Sequence, residues 1–241
     1  MLNNLKKYQI LYISGNFGRL FKPGQNKIAF FENFLNNYVF KFNREITILF
    51  PTHTWSLKNS KKFDITLSKS ESGVFTEWLR SKNSSRQIHP LGSLSAIGPL
   101  KSELIIKNIS DSLYGKATPF DRIKNFKAYS ISVGLPPNKT SSIVHYLEEK
   151  NKVDYRYYKD FQFDIYNNGN FLYNKFFKLY VWDRSRVIRR NNNLKIFNKF
   201  TDQEDIEFLT IGKSILYGYD LNKFSEIIDY EMNKDNYIWL D

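Results

Sequence analysis

Residues 9–51 read QILYISGNFGRLFKPGQNKIAFFENFLNNYVFKFNREITILFP, and their pattern decides the fold. The segments QILYIS (9–14) and ITILF (46–50) are short apolar runs that end at glycine or proline, which is typical of buried strands. Between them apolar side chains recur at helical spacing, at Ile28, Phe31, Leu35 and Tyr38. A strand, a helix and a second strand in this order predict a βαβ unit with two parallel strands.

The same order of elements recurs in the middle of the chain. AYSISVG (128–134) predicts a strand, PPNKTSS (136–142) a loop, and the residues after it a helix that carries His145. Further helices are predicted for GVFTEWLRS (73–81) and PLKSELIIKNI (99–109). Another should begin at Thr118 and Pro119, because the hydroxyl can cap a helix and proline fits the first helical position.

The last third of the chain has a different pattern. After Asn151, aromatic and polar residues alternate around an Asn-Gly turn signal, which predicts antiparallel strands. A capping-box pattern from Thr201 to Glu204 and an amphipathic stretch after Asp220 predict two helices. We therefore expect a single α/β domain over residues 1–241, with a mixed central sheet flanked by helices.

Composition narrows the functions that are open to the chain. Its 241 residues include no cysteine, which excludes disulfides, thiolate metal sites and a cysteine-bound acyl intermediate. The 36 Lys+Arg against 24 Asp+Glu give a net charge of +12, which favours anionic partners: nucleic acid, an anionic membrane surface or phosphorylated small molecules. No run reaches the roughly 18 apolar residues of a membrane span, and the first residues lack the apolar stretch of a signal peptide, so we expect a cytoplasmic protein.

The three histidines each lie in a short polar segment: His53 in PTHTWS, His89 in SSRQIHPLGSLSAIG and His145 in KTSSIVHYLEE. Histidine exchanges protons near neutral pH, which suits a general base. Glu148 follows His145 at a spacing that puts both side chains on one helix face, where a carboxylate fixes the imidazole tautomer. Seen alone, such a pair also fits a packing contact, and His89 before Pro90 also fits a turn hydrogen bond. No HxH or HExxH spacing occurs, so we expect no metal site.

Four segments, taken together, resemble the aminoglycoside 3-N-acetyltransferase family. They are PTHTWS after an apolar strand, SSRQIHPLGSLSAIG, the YGKATP turn (114–119), and AYSISVG followed by the HxxE of His145 and Glu148. The resemblance is clearest over residues 46–150, and TIGKSILYGYDLNKF (210–224) is similar to the family's C-terminal helix region. It implies the family's own α/β fold and an N-acyltransferase that uses acetyl-CoA as co-substrate.

The chain departs from the family pattern at two places. Ser142 and Ser141 stand where the family usually has threonine and asparagine, so a hydroxyl is kept at the first of these positions. The family's N-terminal strand usually ends in His-Ser-Ser, whereas here the strand ends in Ser14, Gly15 and Asn16. The second departure concerns the side of the site that would receive the acceptor.

The resemblance assigns roles to the residues of these segments. His145, polarised by Glu148, accepts a proton from the attacking amine, and Ser142 or backbone N–H groups of the PTHTWS loop stabilise the oxyanion. The predicted coenzyme-binding residues offer an arginine fork, hydroxyls and a turn before a helix: Arg86, His89, Ser93, Ser95 and Gly98. His53 and Thr54 are predicted to contact substrate. Residues 1–150 are thus expected to carry the coenzyme and catalytic motifs, and residues 151–241 the acceptor side.

The charge of the chain bears on the acceptor. A protein at +12 presents an unfavourable long-range field to a polycationic aminoglycoside, which favours an anionic acceptor. A nucleotide-linked amino sugar for surface polysaccharide synthesis has both a free amine and a diphosphate. We therefore expect this acceptor and coenzyme A as partners, with aminoglycoside acetylation and antibiotic resistance as the alternative.

A basic module that binds RNA or single-stranded DNA is the competing class of function. Its platform would be the interleaved aromatic and basic residues Tyr155, Arg156, Tyr157, Tyr158, Lys159 and Phe161. In a strand, such alternation more often buries one face, and no nucleic-acid-binding motif is present, so we expect no nucleic acid partner. A cluster of basic residues nearby is predicted to be a solvated helical face, with contact to an anionic substrate as the alternative: Arg184, Arg186, Arg189 and Arg190.

Overall fold

The computed structural model describes residues 2–22, 24–106, 110–186 and 189–241. These residues form ten strands: β1 Ile10–Gly15, β2 Thr47–Pro51, β3 Lys62–Asp64, β4 Ser85–Arg86, β5 Leu94–Ile97, β6 Ala128–Val133, β7 Arg156–Asn167, β8 Asn170–Trp182, β9 Glu207–Ile211 and β10 Ser214–Asp220. They also form eight α-helices: α1 Lys27–Leu35, α2 Leu57–Ser60, α3 Val74–Arg80, α4 Lys101–Leu104, α5 Pro119–Arg122, α6 Ile143–Lys150, α7 Leu194–Thr201 and α8 Leu221–Lys234.

Seven strands form a mixed sheet in the order β4-β5-β2-β1-β6-β10-β9. Strand β1 lies at its centre and is parallel to both neighbours, with Leu11 opposite Ile48 on β2 and Tyr129 on β6. The outer strands β5 and β10 are antiparallel to β2 and β6. The predicted βαβ unit, its parallel pair and the mixed central sheet are therefore confirmed.

Helices cover both faces of this sheet because its central strands are apolar on both sides. Leu11 and Ile13 pack towards the layer of α1 and α3, together with Phe31 and Phe75. Ile10 and Tyr12 project the other way, where α6, α7 and α8 contribute the core residues Leu147, Phe197, Phe224 and Ile228. Helix α6, which carries His145, is thereby fixed against the sheet by its buried face.

The long hairpin of β7 and β8 has β3 added in parallel to β7, and it makes a second, three-stranded sheet. Its turn is Asn168 and Gly169, both with positive φ (49° and 80°), as a two-residue hairpin turn of this type requires. A small core of Phe63, Ile88, Leu91, Phe163, Ile165 and Phe177 lies between this sheet and the rest of the chain. The predicted antiparallel pair with its Asn-Gly turn is confirmed.

Three sequence predictions differ from the structure. The capping-box prediction is wrong, because α7 ends at Thr201 instead of beginning there; Ile196, Phe197 and Phe200 are buried, and their packing sets the helix. The helix expected over 99–109 is limited to α4 among the described residues, since Ile105 has φ −106° and ψ 87°; residues 107–109 lie outside them. The arginine cluster is not on a helical face over the described residues 183–186 and 189–190. Arg184 and Arg186 lie in a turn and bend after β8, whereas Arg190 forms an isolated antiparallel bridge with Leu240.

The helices predicted at Thr118 and after Asp220 begin where the sequence predicts. Pro119 opens α5 after Thr118, and Asp220 caps α8 by accepting from the N–H groups of Asn222 and Lys223. Within the described ranges, no helix has the length and apolar character needed to span a bilayer.

Candidate active site

The site is built around His145 and Glu148, which lie three residues apart on one face of α6. His145 Nδ1 donates to Glu148 Oε2 over 2.8 Å, so the imidazole is held with its proton on Nδ1 and its Nε2 lone pair available. The Glu148 side chain is 0% exposed, whereas that of His145 is 29% exposed. A buried carboxylate thus orients a partly exposed imidazole, and the contact agrees with the sequence spacing.

Glu148 is compensated by groups from the start of β7 and from Arg190, which lies farther along the chain. Arg156 on β7 places Nε 2.9 Å from Oε1, and Arg190 places Nη2 3.8 Å from Oε2. The Tyr155 hydroxyl donates to Oε1 at 3.4 Å. Although burial raises the pKa of Glu148, the hydrogen bond from His145 and the charges of Arg156 and Arg190 outweigh it, so the pKa lies below its usual range.

The same surroundings keep His145 neutral. Burial lowers its pKa, the Glu148 hydrogen bond and charge raise it, and the two nearby guanidinium groups lower it again. The pKa is below that of an ordinary histidine, so the ring is uncharged at neutral pH and can accept a proton.

Two cavities meet at Ser142, which precedes α6 and whose side chain makes no capping bond. The larger, of about 360 Å³, is lined by His145, Arg190 and the segment 138–142. The smaller, of about 240 Å³, is lined by His53, Trp55 and Glu71, and it shares Lys139, Thr140 and Ser142 with the first. A thioester and an amine that enter from the two cavities would meet beside His145 and Ser142.

His53 and Thr54, the predicted substrate residues, lie on the side of the smaller cavity. His53 Nδ1 is buried without a hydrogen-bond partner in the described chain, and burial, with the neighbouring positive charges, lowers its pKa to about 3. Thr54 is buried and donates its hydroxyl to the Pro90 carbonyl, so it holds the PTHTWS loop. The structure therefore places His53 at a cavity wall and Thr54 behind it.

The predicted coenzyme residues lie inside the protein and bond to one another or to this loop. Arg86 is 5% exposed and donates to Ser93 Oγ at 2.9 Å and to the carbonyl oxygens of Thr52 and Ser68 at 2.8 and 2.6 Å. The hydroxyls of Ser93 and Ser95 each lie 2.9 Å from Thr52 Oγ1. These groups fix the loop that carries His53, and their contact with a coenzyme stays a prediction.

His89 and Gly98 also have defined places within the chain. His89 is 0% exposed, with Nε2 3.1 Å from the Lys178 carbonyl and Nδ1 accepting from Gly92 N–H. Burial lowers its pKa to about 4. Gly98 has φ +129°, and a Cβ there would lie 2.7 Å from Thr47 Cα. His89 thus joins the PTHTWS side to the hairpin, and Gly98 lets β5 approach β2.

Sequence reasoning missed Arg156, Arg190 and Lys139 as site residues. Arg156 was placed in a nucleic-acid platform, but its side chain is 10% exposed and paired with Glu148, and Tyr155 is 0% exposed. Arg190 was predicted to be solvated, but it lies against the same carboxylate. The unusual density of arginine near the hairpin is the one sequence signal that indicates Arg156 and Arg190. No group of three or more His, Cys, Asp or Glu in the described ranges could hold a metal ion.

The chain is similar to a known protein family in sequence and to solved structures in fold. Residues 41–227 match the model of the family described as aminoglycoside 3-N-acetyltransferase. No curated protein matches the chain in sequence. Three solved structures share the fold. YokD from Bacillus subtilis has a TM-score of 0.75 at 15% identity, covering 97% of this chain and 90% of that one.

The other two structures contain ligands. A variant of aminoglycoside acetyltransferase AAC(3)-IVa in complex with gentamicin has a TM-score of 0.73 at 15% identity, covering 96% of this chain and 84% of that one. AAC-IIIb in a binary complex with CoASH has a TM-score of 0.73 at 14% identity, covering 94% and 90%. At these identities the likeness shows the fold.

Proposed function

Because the chain belongs to the aminoglycoside 3-N-acetyltransferase family, and is therefore an acyl-CoA-dependent N-acetyltransferase, we propose that it transfers acetyl directly to an amine with His145 as general base. The observation that supports this role is the 2.8 Å bond from His145 Nδ1 to the buried Glu148, at the wall of a cavity. The chain has no cysteine to hold the acyl group.

In the proposed reaction, the amine nitrogen attacks the thioester carbonyl of acetyl-CoA. His145 Nε2 removes the amine proton as the N–C bond forms, and Glu148 stabilises the resulting imidazolium. Ser142 is the proposed hydroxyl donor to the oxyanion, a role supported by its position at the border of both cavities. The C–S bond then breaks, and the coenzyme thiolate leaves and takes up a proton.

Two acceptors are candidates for this reaction, both amino sugars. An aminoglycoside is supported by the family and by a fold neighbour in complex with gentamicin. A nucleotide-linked amino sugar is supported by the net charge of +12 and by the basic residues of the larger cavity, which has no Asp or Glu among its lining residues.

The reaction is tested by release of free thiol from acetyl-CoA with gentamicin, glucosamine and a nucleotide-linked amino sugar as acceptors. We expect His145→Gln to lower kcat by roughly 10²–10⁴-fold with little change in coenzyme affinity measured by calorimetry. Lys150→Gln is the matched control, because Lys150 lies on the same helix as His145 and lines neither cavity. Near-normal kcat in His145→Gln would exclude the proposed base.

A further inference from the structure

The larger cavity beside His145 carries positive charge on its wall. Its ten lining residues include Lys139, His145 and Arg190, and none is acidic. Lys139 is exposed and forms no ion pair with any residue that the structure describes. The smaller cavity differs, because it includes Glu71, whose carboxylate accepts from the backbone N–H of Ser56. The charged residues that line the larger cavity are thus basic alone, whereas in the smaller one Glu71 offsets the charge of Lys139.

Arg190 has unused hydrogen-bonding capacity at this wall. Its Nε and Nη2 are buried and have no hydrogen-bond partner in the described chain, and the Glu148 oxygen at 3.8 Å is too distant for a hydrogen bond. These two nitrogens form one edge of the guanidinium fork, which matches the two oxygens of a phosphate or carboxylate. The side chain is 33% exposed and lines the cavity, so the guanidinium borders the space that is open to a ligand.

The position of Arg190 indicates which substrate would carry the anion. Arg190 and His145 both approach Glu148 Oε2, so the guanidinium lies within a few ångströms of the base. The pantetheine arm separates the thioester of acetyl-CoA from its phosphates by many bonds. When the thioester is at His145, those phosphates cannot also be at Arg190, so the cation is available to the other substrate.

From these contacts we infer that Arg190, assisted by Lys139, binds a phosphate or carboxylate group of the amine acceptor inside the larger cavity. This inference rests on the proposed acetyl transfer and adds the chemical class of its acceptor. Asn193, whose Oδ1 also lacks a hydrogen-bond partner and lines the cavity, offers an acceptor for a sugar hydroxyl. The bound molecule would be an amino sugar that carries an anionic group close to its reacting amine.

The test uses inorganic phosphate and the pair glucosamine and glucosamine 6-phosphate. At constant ionic strength, phosphate should raise the melting temperature of the wild type more than chloride does. It should also inhibit acetyl transfer competitively towards the amine and not towards acetyl-CoA. Where both sugars react, kcat/KM should favour glucosamine 6-phosphate by about tenfold or more.

Variants separate the inference from the acetyl transfer itself. Arg190→Gln should abolish the phosphate effects and bring the two sugars to similar kcat/KM, and Arg190→Lys should retain part of both. Arg184→Gln is the matched control, because Arg184 is exposed and absent from the cavity wall. Phosphate effects that persist in Arg190→Gln, or competition with acetyl-CoA, would overturn the anion site. Absence of thiol release with every amine would instead refute the proposed function.

Discussion

The protonation of His145 is set by a balance of neighbouring charges. Burial lowers its pKa, Glu148 raises it, and Arg156 and Arg190 lower it. The base therefore titrates below the ordinary histidine value of about 6.5. The ring itself is already deprotonated at neutrality, so a further rise of activity above pH 7 would reflect the amine of the acceptor and not His145.

The pH dependence of kcat/KM should follow this balance. Activity should rise with pH as His145 loses its proton, with a midpoint below about 6.5. Arg156→Gln removes a charge that lowers the pKa, so the midpoint should move to higher pH. Glu148→Gln removes a group that raises the pKa, so the midpoint should move to lower pH while kcat falls.

A matched control for this experiment lies on the same helix. Lys150 is bonded to Asp229 and does not line either cavity, so Lys150→Gln should leave the midpoint unchanged. Shifts of equal direction in Arg156→Gln and Glu148→Gln would contradict the assignment of the midpoint to His145.

At the scale of elements, Gly98 shows how β5 is joined to β2. Its φ of +129° is unfavourable for other residues, and a Cβ would lie 2.7 Å from Thr47 Cα. Gly73, before α3, has a similar φ of +118° with nothing within 4 Å of the position of a Cβ. Both glycines have a backbone conformation that would strain any other residue, and they differ in the space around them.

Alanine substitutions should separate these two effects. Gly73→Ala should cost about 1–3 kcal/mol of the free energy of unfolding from backbone strain. Gly98→Ala should cost more, by roughly 1–3 kcal/mol for the forced backbone shift, measured by urea unfolding. Equal losses in the two variants would show that the close approach to Thr47 is unimportant.

Elements with local signals could be predicted from the sequence. The strands around Leu11 and Ile48 are apolar runs with clear ends, and the spacing of His145 and Glu148 fixes their contact within one helix turn. Helix α7 could not be placed correctly, because the capping signal at Thr201 was weaker than the packing of Phe197 and Phe200.

The arginines beside the His145–Glu148 pair could not be predicted for a related reason. Arg156 reaches Glu148 from β7, and Arg190 reaches it from an isolated bridge with Leu240; only tertiary structure brings the three side chains together. Sequence spacing carries no information on such contacts. The predicted coenzyme residues show a different limit of sequence reasoning. The side chain of Arg86 suits a phosphate, but in the structure it donates its hydrogen bonds to Ser93 and Thr52.

At the scale of the whole molecule, buried neutral histidines make stability depend on pH. His89 is fully buried, and its pKa in the folded protein is about 4 against about 6.5 when unfolded. The unfolded chain therefore binds more protons between these values, so stability is full above about pH 6.5 and falls as pH decreases to about 4.

This loss should be measurable as a change of melting temperature with pH. His89 alone should contribute a decrease of roughly 3 kcal/mol between pH 7 and pH 4. In His89→Asn the protein should be less stable at pH 7, and its melting temperature should depend less on pH over this range. An unchanged pH dependence in that variant would contradict the buried, neutral state of His89.

The Glu148 carboxylate joins three segments: α6, the start of β7, and the bridge residue Arg190 much later in the chain. During synthesis, His145 and Glu148 leave the ribosome before Arg156 and Arg190 do. Until the hairpin docks, the acid lacks Arg156, its nearest cation. We therefore expect catalytic competence to be a late property of the folding chain, and we expect undocking of the hairpin to lower activity even where the central sheet stays folded.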